Sequence, residues 1–141
     1  MTVTAPIHDN LLISYEVHCE KRTIMLRTEY RVEDKPTEFT NVVFEGVQGY
    51  NFENDAFGNI ILDVATVSVE YLLTAYGPQI SDSYRMAGSP GTWAANLDSA
   101  PNYLREQGIK GFVLSSSYGL SGWVLAKEML VGEGVVNPQK L

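Results

Sequence analysis

The stretch Leu11–Tyr30, LLISYEVHCEKRTIMLRTEY, decides the fold because it contains two runs of alternating apolar and polar residues. Successive side chains of a strand point to opposite faces, so each run can bury one face and leave the other in water. The residues predicted to point inward are Ile13, Tyr15 and Val17, followed by Ile24, Leu26, Thr28 and Tyr30. A polar segment over 19–22 separates the runs, and the whole stretch therefore predicts a β-hairpin.

Further strands and helices follow the hairpin. The predicted elements are a third strand over 39–52, a fourth over 60–67, a helix over 69–76, an irregular stretch over 77–98, a second helix over 99–107, and strands over 111–117 and 122–131. Gly46 and Gly49 predict a bulge or bend in the third strand. Gly77-Pro78 predicts the end of the first helix, and Gly108 predicts the end of the second.

This order of elements is typical of an α+β fold. We expect a mainly antiparallel sheet of about six strands, with two helices inserted between strands 4 and 5. No linker or internal repeat divides the chain, so residues 1–141 are predicted to form a single domain. Segments 1–7 and 132–141 are predicted to be loose ends.

Composition narrows the classes of function. The chain has 141 residues and a net charge of −7, from 17 acidic and 10 basic residues. An acidic chain repels phosphate backbones, so nucleic-acid binding is not expected. The N-terminal residues predict no secretory signal, no apolar run predicts a membrane span, and the lone Cys19 cannot form an internal disulfide. A cytoplasmic location is therefore expected.

No motif predicts catalysis or metal binding. His18-Cys19 lacks further ligands at a spacing that would complete a metal shell, and no cofactor is expected. His8 and Asp9 are adjacent, but neighbouring residues of an extended segment point apart. The stretch 115–123, SSSYGLSGW, contains G-x-S-G rather than the pattern of a nucleophile elbow. Its hydroxyls are predicted to satisfy the turn and the strand ends.

Asp63 stands out because it follows three apolar residues in a strand suited to burial. A buried carboxylate needs a partner or an open cleft, and Arg27 or Arg85 could form a structural ion pair with it. An alternative is a polar ligand pocket on the sheet. The residues predicted to line that pocket are Tyr50, Asp63, Ser115 and Ser117.

The irregular stretch 77–98 supplies the main candidates for a recognition surface, because long irregular segments of compact domains are often functional. Tyrosine, tryptophan and arginine are enriched in the residues that dominate binding energy at interfaces. The predicted binding residues are Tyr84, Arg85, Met86 and Trp93. Trp123, within the last strand, is predicted to belong to the core.

Four segments, at 8–12, 42–47, 58–64 and 115–126, resemble a family of small bacterial proteins of unknown function. Its architecture is similar to that of the compact domains that serve as toxin-neutralising immunity proteins. The resemblance implies a binding role and assigns no role to any residue.

These observations predict a non-enzymatic protein that binds a basic protein partner in the manner of an immunity protein, or that associates with itself. A homodimer would form along the strand 122–131. The alternative is a small-molecule-binding protein or an enzyme that uses the polar pocket.

Overall fold

A computed structural model describes residues 7–133 as one eight-stranded antiparallel sheet with two α-helices. The strands are β1 (Leu11–His18), β2 (Thr23–Tyr30), β3 (Glu38–Glu45), β4 (Gly49–Glu53), β5 (Ile60–Val67), β6 (Lys110–Tyr118), β7 (Ser121–Ala126) and β8 (Glu128–Glu133). The helices are α1 (Val69–Ala87) and α2 (Ala100–Glu106), with a 3₁₀ turn at Thr92–Ala95 between them. The strands follow the order β4-β7-β6-β5-β1-β2-β3-β8 across the sheet. The α+β class and the antiparallel sheet are therefore as predicted.

The predicted hairpin forms from β1 and β2, which pair antiparallel along their length. Ile24 and Leu26 of β2 are buried, as their alternation predicts. In β1 the prediction is wrong at Ile13, which is 49% exposed, while Leu12 is buried. A bulge between Leu12 and Ser14 shifts the register at this point, and an inserted residue re-aims the side chains around it.

The sheet has eight strands rather than six because two predicted strands each divide. The segment 39–52 breaks after Glu45 into β3 and β4, where Gly46 has a φ of 66° and produces the predicted bend. The segment 122–131 breaks at Lys127 into β7 and β8. The two breaks lie against each other, since a Cβ on Gly46 would lie 2.7 Å from the Lys127 Cγ. Each bent segment therefore pairs with two sets of neighbouring strands. Because the segment 39–52 forms two strands, the helices lie between β5 and β6 rather than after a fourth strand.

Helix α1 is longer than predicted and continues through Gly77-Pro78 to Ala87. Pro78 removes one N–H from the helix, but apolar residues recur at helical spacing beyond it, with Ile80 fully buried. Tertiary packing of this face outweighs the local cost of proline. The helix ends at Gly88, whose φ of 72° is left-handed and whose N–H donates to the Tyr84 carbonyl at 2.8 Å.

Two cores fill the molecule. The first lies on one face of the sheet, and its buried residues include Ile24, Leu26, Val42, Phe44, Val64, Phe112 and Val124. The second lies between the helices and the opposite face of β6 and β7, and its buried residues include Leu72, Ile80, Leu104, Trp123 and Leu125. The prediction that Trp123 belongs to the core is confirmed at 3% exposure.

The predicted loose ends fall mostly outside the described residues, which exclude 1–6 and 134–141. Within the described part, Ile7 is fully buried in the first core, and Gly132 and Glu133 complete β8. These three residues therefore differ from the expectation of a loose end.

Asn59 connects the β4–β5 loop to the β6–β7 turn. Its side chain is buried, and its Oδ1 accepts from the backbone N–H groups of Ala56 at 2.9 Å and Leu120 at 2.8 Å. Its Nδ2 donates to Asp55 Oδ1 at 2.9 Å. Gly119 allows this close approach, because a Cβ there would overlap the Asn59 amide and its φ of +92° disfavours other residues.

Replacing Asn59 by Ala is expected to lower the free energy of unfolding by about 2–5 kcal/mol, because two N–H groups lose their acceptor. Gly119→Ala should also be destabilising, since its Cβ would displace the same amide. Urea unfolding monitored by circular dichroism measures both changes. Gly58→Ala is the control, because no atom beyond its two chain neighbours lies within 4 Å of its added Cβ. Equal midpoints for Gly119→Ala and Gly58→Ala would contradict this account.

Candidate binding site

One edge of β1 has no strand partner beyond Leu12 among the described residues, because β5 begins at Ile60 and the antiparallel register places the later residues of β1 opposite the β4–β5 loop. Strand β1 pairs with β5 only at Leu11↔Ile60, with neighbouring backbone bonds such as Leu12 N–H to the Asn59 carbonyl at 3.0 Å. Beyond Leu12, and within residues 7–133, β1 pairs with β2 alone. Strand β4 pairs with β7 alone in the same part of the chain. Each of the two strands thus has one unpaired edge.

Three aromatic side chains bridge the gap between β1 and β4, and we call Tyr15, Tyr50 and Phe52 the aromatic seam. The rings of Tyr15 and Phe52 meet edge to face with their centroids 5.9 Å apart. The rings of Tyr50 and Phe52 are tilted at 5.3 Å. Tyr15 is 37% exposed and Tyr50 is 40% exposed, while Phe52 packs against the first core. The seam therefore presents a half-exposed aromatic surface on a fixed support.

One end of the seam carries a carboxylate. The Tyr15 hydroxyl donates to Asp55 Oδ2 at 2.8 Å, while the Phe57 backbone N–H and the Asn59 amide both donate to Asp55 Oδ1 at 2.9 Å. These bonds, led by that of Asn59, lower the pKa of the Asp55 carboxyl below its ordinary value of 3.8. The bond to Asp55 in turn raises the pKa of the Tyr15 hydroxyl above 10.0. Among the described residues, Asp55 has no ion-pair partner.

The other end of the seam opens into a cavity of about 270 Å³. Its buried floor contains Ile24 and Val47, and its rim carries His18, Arg22 and Tyr50. The Arg22 guanidinium donates to the Val47 carbonyl at 3.2 Å, which holds this cation beside the opening. The cavity thus combines an apolar floor with a basic rim, at the opposite end of the seam from Asp55. We call it the socket.

The predicted recognition residues do not form one surface. Tyr84 and Trp93 are partly buried against the second core, so Trp93 is less exposed than the sequence suggests. Arg85 pairs with Asp82 on the surface, and Met86 is 87% exposed. The reason is that this part of the predicted irregular stretch belongs to α1, whose apolar face turns Tyr84 inward.

The predicted polar pocket is partly assembled. Asp63 and Ser115 are cross-strand neighbours on β5 and β6 and line a cavity of about 550 Å³. Ser117 is exposed and Tyr50 lines the socket instead, so neither shares this cavity within the described residues.

The predicted ion pair of Asp63 is not formed. Arg27 pairs with Glu16 at 3.0 Å, and Arg85 pairs with Asp82. Asp63 is instead partly exposed at the open cavity, because the register of β5 and β6 brings it opposite Ser115. The alternative that the sequence raised, an open cleft, is therefore the one observed.

The remaining polar candidates have local roles. His8 Nε2 lies 3.3 Å from Asp9, since the positive φ of Asp9 (65°) turns the chain and brings the two side chains together against the expectation. The Ser116 hydroxyl donates to the Leu120 carbonyl and so satisfies the turn, as predicted.

Within residues 7–133, no group of three or more His, Cys, Asp or Glu side chains is placed to hold a metal ion. No helix in that part of the chain has both the length and the apolar composition needed to cross a membrane.

Comparisons with protein-family models, with curated proteins and with solved structures found no match for this chain. The resemblance to immunity-type domains therefore stays a prediction.

Sequence patterns place Tyr15 and Phe52 in strands but do not bring them together. Their contact arises because the chain bends between β3 and β4, and because β5 begins at Ile60 and leaves the later residues of β1 without a partner from that strand. The available signals were Gly46, which marks the bend, and the turn-rich segment 54–59, which contains Asp55 and Asn59.

The hydrogen bond between Tyr15 and Asp55 can be tested by titration. Because it helps to lower the pKa of Asp55, Tyr15→Phe should raise that pKa toward 3.8, while the bonds from Asn59 and Phe57 keep it below. The stabilisation is present above the unfolded pKa and is lost as pH falls through the lower folded pKa. Carboxyl-carbon NMR measures the titration. Tyr103→Phe, on α2, is the control, and an unchanged Asp55 pKa in Tyr15→Phe would show that the bond is absent in solution.

Proposed function

We propose that this protein is a protein-binding module that recognises its partner through the aromatic seam. The observation that carries the proposal is a set of three contacting aromatic rings, two of them half exposed, between two strand edges that have no strand partner among residues 7–133. Tyrosine is enriched among the residues that dominate interface energetics, because it supplies apolar area together with a hydroxyl. The rings need no rearrangement to present this area.

The protonation states at the seam favour binding over acid–base catalysis. The pKa of Asp55 is lowered and the pKa of Tyr15 is raised, so both pKa values move further from neutral pH. An efficient general acid or base has a pKa near the working pH. The Tyr15–Asp55 pair therefore suits a rigid hydrogen-bonded support better than proton transfer.

The socket and the cavity beside Asp63 are better suited to a protein partner than to a free small molecule. The socket, at about 270 Å³, lies just below the range of roughly 300–1,000 Å³ that is typical of small-molecule sites. The cavity beside Asp63, at about 550 Å³, is large enough, but Tyr71 at its rim is 59% exposed. An open depression with exposed walls encloses a small ligand poorly. The socket is suited instead to a single side chain of a larger partner.

The net charge of −7 favours a basic partner, because complementary charge speeds encounter and excludes acidic competitors. A toxin-neutralising role, implied by the resemblance to immunity proteins, is one form of this function. In that role the module would hold one basic protein tightly.

A second copy of the chain is a weaker candidate. Strand β8 ends the sheet, and Leu130 and Val131 are 46% and 38% exposed. An antiparallel β8–β8 pairing that sets Leu130 against Val131 also sets Glu128 against Glu133. Like charges directly opposite each other are destabilising, and charged edge residues commonly prevent such pairing.

We therefore expect one monomeric species in sedimentation velocity at two protein concentrations near neutral pH. The double variant Glu128→Gln/Glu133→Gln removes the repulsion and should show a greater tendency to associate. A wild-type dimer at both concentrations would favour self-association over a different partner.

The proposed function is tested by affinity capture from a lysate of the source organism with three proteins: wild type, Tyr50→Ala and Tyr103→Ala. Tyr103 is the matched control, since it is 44% exposed on α2, away from the seam. A partner captured by wild type and Tyr103→Ala should bind Tyr50→Ala about 30-fold more weakly, the equivalent of roughly 2 kcal/mol for a dominant interface residue. Its association rate should fall as salt rises.

Unchanged urea midpoints would establish that the variants are folded. Equal capture by wild type and Tyr50→Ala would contradict the role of the seam, and so would the absence of any partner retained by wild type.

A further inference from the structure

We infer that the partner contributes an extended basic segment that adds as a strand between β1 and β4. This inference rests on the proposed function and specifies how the seam binds. It follows from three features of the seam: its unpaired backbone edges, the direction of its two strands, and the opposite character of its two ends.

The unpaired edges supply main-chain hydrogen bonds. Within residues 7–133, β1 beyond Leu12 pairs only with β2, and β4 pairs only with β7. The second edge of each strand lies at the seam, because Tyr15 of β1 touches Phe52 of β4 and both strands line the socket. Unpaired N–H and C=O groups along a strand edge form a template for another strand. Side chains alone bridge the two edges here.

The contacts also set the length and direction of the site. Tyr15 lies beside Phe52, whereas Val17 and His18 share the socket with Gly49 and Tyr50, so β1 and β4 run in opposite directions. An added strand would be antiparallel to one of them and parallel to the other. Strand β4 has five residues, which corresponds to about 17 Å at roughly 3.3 Å per residue. A segment of about five to seven residues would cover it.

The two ends of the seam select different side chains. The socket has an apolar floor and carries Arg22 at its rim, so it accepts an apolar side chain and repels a cation. Asp55 at the other end stays ionised and has no cation beside it in the described part of the chain. An apolar anchor followed four residues later by Lys or Arg fits this pattern, since residues an even number apart share one face of a strand and four residues span about 13 Å.

A strand from a second copy fits less well. The exposed edge strand β8 carries Glu128 and Glu133 at its two ends. Either orientation in the seam would bring one of these carboxylates toward Asp55. The charge pattern therefore favours a basic segment from a different protein.

The test uses the full chain and a synthetic peptide, acetyl-Thr-Leu-Thr-Thr-Thr-Lys-Thr-amide, at millimolar concentration. Hydrogen–deuterium exchange should show slower amide exchange in 13–18 and 49–53 when the peptide is bound, because an added strand pairs those backbone groups. A peptide with N-methyl groups at alternate residues should lose this protection. A peptide with Glu in place of Lys should bind about 3- to 10-fold more weakly.

A matched pair of variants tests the charge preference. Asp55→Asn should remove most of the difference between the Lys and Glu peptides, while Asp98→Asn, at an exposed position before α2, should leave it unchanged. If Asp55→Asn alters the loop and lowers stability, the affinities of the Lys and Glu peptides for the wild-type protein still show whether the site prefers a cation. No binding of the Lys peptide, or equal binding of the Lys and Glu peptides, would overturn the inference.

The two proposals can fail separately. Tyr50-dependent capture of a protein without protection of 13–18 and 49–53 would overturn strand addition and leave the binding function intact. Protection by the peptide, together with capture that is indifferent to Tyr50, would contradict the proposed function instead.

Discussion

The buried amide of Asn59 is the interaction on which the site depends. It accepts from the backbone of two separate turns and donates to Asp55, so it joins the β4–β5 loop to the β6–β7 turn. Asp55 then holds the Tyr15 hydroxyl, and Tyr15 meets Phe52 across the seam. Buried polar groups rigidify a structure when they are satisfied, and both polar atoms of this amide have partners. The position of the aromatic surface therefore follows from a single side chain outside it.

Two features of the chain create the seam. Strand β5 begins at Ile60, so its antiparallel pairing with β1 ends at Leu11, and a straight β3 would leave no separate β4. The left-handed residue Gly46 bends the chain between β3 and β4. Together these features leave two strand edges without a strand partner in residues 7–133. Exposed edges favour unwanted association, so their presence beside fixed aromatic rings favours a functional explanation.

Much of the fold was predictable because it rests on local patterns. The alternation in β1 and β2 reflects a two-residue period, and the stop at Gly108 is a chemical signal within a few residues. Predictions failed where distant contacts outweighed local preference. Pro78 lies inside α1 because the buried face that includes Ile80 continues beyond it, and Ile13 points outward because its strand bulges.

The sequence alone determined the α+β class, the positions of most strands and helices, the acidic charge and the assignment of Trp123 to the core. These properties follow from composition and short-range periodicity. The tertiary structure alone decided which residues meet at the seam, since Tyr15, Phe52 and Asp55 lie in three separate segments. Strand order and the direction of each bend determine whether these three residues come into contact. Both depend on how the whole chain packs, which no short window of sequence contains.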